Sequence, residues 1–271
     1  MLIGHDNLIK LFKKLANDEK LSHAYLFFGE PQVGKFLFAL SLANFLERKK
    51  FLVEKNILEE TLIIAPDEKT TIGIDAAKSA INFLAKKPVF SKKRIVIIRD
   101  AENMTPHAQN AILKLIEEPP LEALIILIAA NDDLLLPTLI SRLQKIYFQR
   151  TAKKEIEKML IGEKISEQKA KIFAEESFNR PGRAIDLIAK KSGEFPKLAK
   201  KFLTGSFDKK LLETIVENDE KMNEFFESLI IELKKDIMKN LPILKETLKR
   251  LALLKMFNVN KKLQLRAIIS K

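Results

Sequence analysis

The chain contains no cysteine and no tryptophan, only two tyrosines and only eight glycines in 271 residues. The absence of cysteine excludes disulfides and thiolate metal sites, zinc among them. No apolar run approaches the roughly 20 residues that a membrane-spanning helix needs. The opening MLIGHDNLIKLFKK reads as the start of an amphipathic helix and not as a signal peptide. The absence of cysteine fits a cytoplasmic protein. The scarcity of tryptophan and tyrosine argues against a platform for stacking single-stranded bases, although 18 phenylalanines are present. The three histidines, His5, His23 and His107, lie apart with no metal-ligand spacing.

What is present is apolar and basic. A hydrophobic content of 46% is ample for a packed core, and the length suits one large domain or two to three small ones. The net charge of +12 is uneven: residues 151–271 carry 27 basic against 18 acidic residues, hence +9, and residues 1–150 carry the remaining +3. A basic surface of this kind either attracts nucleic acid or is the solvated face of lysine-rich helices.

Up to about residue 150, short apolar runs alternate with helical patterns. The strand candidates are Tyr25–Phe28, Leu62–Ala65, Ile95–Ile98, Leu124–Ala129 and Ile146–Phe148, apolar on both faces as buried parallel strands are. Helical stretches cover roughly 35–49, 75–86 and 106–117. In the last of these, Thr105 is placed to cap and Pro106 sits at the first helical position, where its missing N–H costs nothing. Pro119-Pro120 ends it. This alternation predicts an α/β fold, a parallel sheet covered by helices. Beyond residue 150 the strand signal disappears. Residues 153–161, 166–177 and 182–191 read as short helices, and the pattern from about 194 is helical to the end, punctuated at Gly205-Ser206 and at Asn240-Leu241-Pro242. Three blocks are expected: an α/β domain (1–150), a helical lid (151–204) and a short all-helical C-terminal domain (205–271).

Gly29-Glu30-Pro31-Gln32-Val33-Gly34-Lys35-Phe36 follows the first strand and opens a helix. It matches the phosphate-binding pattern G-x-x-x-x-G-K-[ST] at Gly29, Gly34 and Lys35 and fails at Phe36, which cannot ligate Mg²⁺. Glu30 adds a negative charge where phosphates would sit. A second departure lies at the end of the third strand. Asp100 is the metal-side acid that such a loop requires, but Ala101 stands where hydrolysing enzymes carry a catalytic Glu, and Glu102 is one step out of register. Ser141 has no partnering His motif for a hydrolase triad. Glu117 and Glu118 are adjacent on a helix and so do not face each other as an acid/base pair.

Three segments carry a more specific signal: Ser22 to Gly29 (SHAYLFFG), Asn110 to Pro120 (NAILKLIEEPP) and Pro137 to Arg142 (PTLISR). In order and spacing they resemble the clamp-loader AAA+ family, and with the damaged nucleotide site they are most similar to its delta-prime branch in bacterial DNA polymerase III. The similarity covers roughly residues 1–200, and residues 205–271 match only in being helical. The resemblance implies an AAA+ sheet, a lid and a helical collar. It also implies a non-hydrolysing, non-catalytic subunit in a hetero-pentamer whose other clamp-loader subunits hydrolyse ATP, the assembly placing a sliding clamp on primed DNA. Arg142, helped by Ser141, would be an arginine finger acting in trans on a neighbour's ATP. Arg183, which falls where active relatives place a nucleotide-sensing arginine, is expected to be structural. Many relatives carry a four-cysteine zinc module, whereas the interval at about 46–66 has no cysteine here. The rival readings are an active ATPase that holds Mg²⁺ through water, and a basic DNA-binding module on an inactive AAA+ frame.

Overall fold

The computed structural model describes residues 2–53, 58–67, 70–189, 195–204, 213, 215–216, 219–256 and 259–269. Two compact units divide the chain, Met1–Ile185 and Asp186–Lys271.

In the first unit, β1 (Ala24–Phe28), β2 (Thr61–Ile64), β3 (Arg94–Ile98), β4 (Ala123–Ala129) and β5 (Gln144–Tyr147) form one sheet in the order β2-β3-β4-β1-β5. All four pairings are parallel. Side chains alternate between the two faces, as the strand period requires. Phe27, Ile97 and Ile126 pack on one face with α1 (Asp6–Asn17) and α2 (Lys35–Arg48). Leu26, Val96 and Ile125 pack on the other with α3 (Ile74–Leu84) and α4 (Pro106–Glu117). The expectation of strands apolar on both faces holds for β1, β3 and β4. It fails for β2 and β5, which flank the sheet and each lack a neighbour on one side; Ile63 and Tyr147 are 44% and 54% exposed.

The capping read from sequence is present: the Thr105 hydroxyl accepts from the Ala108 N–H at 3.3 Å, with Pro106 in the first turn. A single helical turn, α5 (Pro137–Ile140), joins β4 to β5. Four residues are too few to show a period, so it left no sequence signal. Helices α6 (Lys153–Gly162), α7 (Glu167–Glu176) and α8 (Pro181–Ala189) follow.

The second unit is helical among its described residues: α9 (Phe195–Leu203), then Asp219–Lys234, Ile237–Met256 and Lys261–Ile269. Phe202, Phe225, Phe226, Leu229 and Leu265 form its core. The expected break at Gly205-Ser206 lies outside the described residues. The expected break at Pro242 is corrected, because the helix runs through it and begins at Ile237. The interruption falls at Lys235–Asp236, where the Asp236 carboxylate accepts from the Lys239 N–H at 3.2 Å and caps the new helix. Proline so near a helix start removes one bond, the one to the carbonyl of Met238, and that residue is 88% exposed, on a turn open to solvent. No helix among the described residues is long and apolar enough to cross a membrane.

Candidate functional site

The loop between β1 and α2 keeps the shape of a phosphate cradle. Gly29 has φ +135°, and a Cβ there would lie 2.6 Å from the Phe148 carbonyl oxygen, so no other residue fits. Gly34 (φ +103°) caps α2 in the left-handed region. The loop is braced from outside: the His5 ring nitrogen Nε2 lies 2.8 Å from the Val33 carbonyl oxygen, and the Gly182 N–H donates to the Gln32 carbonyl at 3.0 Å. Backbone amides at the start of a 14-residue helix would favour an anion here.

The side chains do not complete that chemistry. The Lys35 ammonium is buried and turned onto the loop itself, donating to the carbonyls of Gly29 and, at 2.7 Å, Glu30. Burial pulls its pKa down to about 8, opposed by the carboxylates of Glu102, Asp100 and Glu30. The unfolded chain therefore holds this proton more tightly than the folded one between about pH 8 and 10.5. Stability is expected to rise with pH across that window relative to a Lys35→Met variant, and denaturant titrations of the two proteins from pH 7 to 10.5 check it.

Phe36 fills the position of the missing hydroxyl, and the Arg99 guanidinium carbon sits 4.4 Å from its ring centroid. A cation–π pair thus occupies the side of the loop where a magnesium ligand belongs. Asp100 is exposed and left-handed (φ +49°), at the start of the short turn Ala101–Asn103. Ala101 is fully buried in the core under the sheet. Glu102 turns to the end of β4, where its Oε1 accepts from the Ala130 N–H at 2.8 Å. The negative charge of Glu30, expected to face phosphates, is engaged by Arg150 through Nη2 at 2.6 Å and Nε at 2.9 Å. What remains is a cleft of about 340 Å³, mostly apolar, bordered by Pro31, Phe36, Arg99, Asp100, Ile128 and Pro181 among others. No cluster of three or more His, Asp or Glu fit to hold a metal occurs among the described residues.

Ser141 and Arg142 lie elsewhere. The loop leaves the C-terminal end of β1, whereas Arg142 precedes β5, whose first residue Gln144 pairs with Tyr25 near the start of β1. The length of β1, about 16 Å at roughly 3.3 Å per residue, separates the two edges. Arg142 cannot serve its own cradle. Its Nη1 donates to the Thr138 carbonyl at 2.9 Å and lies 3.3 Å from Ser141 Oγ. Its Nη2 lies 2.9 Å from Glu117 Oε1, so the first of the two adjacent glutamates pairs with the arginine and not with its neighbour.

Gln109 escaped the sequence reading. Buried within α4, it accepts from the Leu136 N–H at 2.7 Å and donates to the carbonyls of Met104 at 3.2 Å and Leu134 at 3.4 Å. It fixes the chain entering α5 and hence Ser141-Arg142. The available signal was an amide on the otherwise apolar face beside Ala108. Arg183 donates through Nε to the Glu176 carbonyl at 3.0 Å, and its guanidinium carbon lies 5.5 Å from the Phe178 ring centroid.

The family model described as DNA polymerase III, delta subunit, matches residues 4–152, more than half of the chain. The DNA polymerase III subunit delta' of Bacillus subtilis is 32% identical over 196 residues, covering 66% of this chain and 58% of that protein. Replication factor C subunit 3 of Saccharomyces cerevisiae is 30% identical over 159 residues, covering 58% of this chain and 44% of that protein. The chain thus spans less than two thirds of the length of these relatives. Among solved structures, the Thermotoga maritima RuvB Holliday junction branch migration motor superposes with a TM-score of 0.52 at 16% identity, covering 88% of this chain and 78% of that one, and shares the fold. On the extent of the family match, with a delta' protein among its relatives, this chain belongs to the DNA polymerase III delta-subunit family of clamp-loader AAA+ proteins.

Proposed function

We propose that this chain is the non-hydrolysing, delta-prime-type subunit of a clamp loader. It scaffolds a hetero-oligomeric ring, a pentamer by family resemblance, that places a sliding clamp on primed DNA. It also supplies Arg142, steadied by Ser141, to the ATP site of an adjacent subunit. The observation that carries the reading is the Arg99–Phe36 pair beside Lys35. A guanidinium already stands beside the loop where catalysis needs Mg²⁺, and ATP bound without the metal lacks the charge neutralisation that phosphoryl transfer depends on. The buried Ala101 supports it, since no carboxylate at that position is available to activate water. The position of Arg142 at the far edge of the sheet supports action in trans. In this reading the protein itself needs no cofactor and no zinc, acts in the cytoplasm, and meets DNA and clamp only within the assembly.

The isolated chain, incubated with Mg²⁺ and ATP, is expected to release no phosphate above the level of its Lys35→Ala variant. Turnover that Lys35→Ala abolishes would establish the rival of an active ATPase. Salt-dependent duplex binding by the lone chain would favour a basic DNA-binding module instead, with a log–log slope counting phosphate contacts.

A further inference from the structure

We infer that Glu117 is a positioning residue for Arg142, setting the direction in which its guanidinium is presented to the neighbouring site. The inference rests on the trans role of Arg142 proposed above and deepens it.

Both partners stand on fixed backbone. Glu117 is the last residue of α4, a helix capped by Thr105 and anchored by the buried Ile112, Leu115 and Ile116. Glu118 and the prolines behind it stop that helix abruptly, so the Cα of Glu117 has little freedom. Arg142 is flanked by Leu139 and Leu143, both buried. The only loose part is the long arginine side chain, 43% exposed. Left alone, it would sample many rotamers. Thr138 and Ser141 hold Nη1 from the finger's own turn. Among the described residues, Glu117 alone, from a different element, holds Nη2. Two contacts on one nitrogen leave the guanidinium plane free to swing, and the third contact, on the other nitrogen, fixes it.

The pair contributes little to stability, because both side chains are about two-fifths exposed and such pairs are screened. An ordered but energetically idle pair at the proposed catalytic tip has its effect on geometry. A cation acting on a transition state is effective only when its direction is set beforehand, and a displacement near 1 Å costs about a hundredfold.

The test uses assembled clamp loader containing full-length wild-type chain, Glu117→Gln, Arg142→Ala or the double variant, with KM for ATP measured for each and kcat at the neighbouring site taken from single-turnover hydrolysis. Glu117→Gln keeps the shape and removes the charge. It is expected to lower kcat at the neighbouring site by about tenfold, to leave KM unchanged, and to melt with the wild type. In the Arg142→Ala background it should cause no further loss. Full kcat in Glu117→Gln while Arg142→Ala is slow would overturn this inference and leave the finger standing. A raised kcat in Glu117→Gln would also overturn it, by making the pair a latch. No loss in Arg142→Ala would overturn the finger and the positioning role together.

Discussion

Arg142→Ala in the assembled complex is expected to cost the neighbouring ATP site on the order of 10³ in rate, the lower end of what an arginine finger supplies to GTPases. The guanidinium lies on the surface, fixed by the Thr138 carbonyl, Ser141 and Glu117. That arrangement presents a planar, permanently charged fork outward, suited to the oxygens of a γ-phosphate. In the proposed ring with several ATP sites, only one would receive this side chain. Steady-state ATPase should therefore fall by that site's share unless the sites are coupled, and single-turnover hydrolysis should show the full loss. Arg142→Lys keeps the charge but loses the fork, and is expected to recover only part of the rate. The isolated variants should unfold within about 0.5 kcal/mol of wild type, because an exposed pair carries little stability. Unchanged single-turnover kinetics in Arg142→Ala would remove the finger from the proposal.

Much of the frame was legible because sheet and helix periods are local. The central strands β1, β3 and β4 announce themselves as runs such as Ile95–Ile98, and α4 is bracketed by Thr105-Pro106 and Pro119-Pro120. The phosphate loop was legible for the same reason, since Gly29, Gly34 and Lys35 must fall within one turn to form a cradle. What sequence could not supply was pairing across distance. In sequence Glu30 is a charge aimed at phosphate; in the fold Arg150, 120 residues away, holds it. In sequence Phe36 is a simple loss; in the fold Arg99 stacks on it. Gln109 looked like an ordinary helix residue, although its three hydrogen bonds reach residues up to 27 positions distant. Edge strands were misread because burial depends on which strands lie next to one another, and strand order is a property of the whole sheet. Pro242 misled because a proline six residues into a helix and one after a helix look the same without the cap at Asp236.

Phe38→Ala is expected to be the most destabilising single change near the cradle. Phe38 sits one turn into α2 and is fully buried. Its ring centroid lies 5.3 Å from Phe12 on α1, 5.6 Å from Phe27 on β1, and 5.2 Å from both Phe51 and Phe148. His5, which braces the loop at Val33, packs edge-on at 6.5 Å. Truncation would open a void among four phenylalanines rooted on separate elements, which have little freedom to collapse into it. The cost is about 3–5 kcal/mol, and at ~2–4 °C per kcal/mol for a unit of this size the melting temperature should drop by roughly 6–20 °C. Phe36→Ala, two residues earlier, is the internal comparison. That ring is only half-buried at the margin of the same cluster and stacks on the Arg99 guanidinium, a contact worth about 0.5–1 kcal/mol at such a site. In a hydrolysing loop position 36 would be the critical one and position 38 mere packing. Thermal unfolding should rank them by burial instead, Phe38→Ala far below Phe36→Ala. A larger loss at Phe36 than at Phe38 would mean that the loop, and not the aromatic cluster behind it, holds this face of the sheet together.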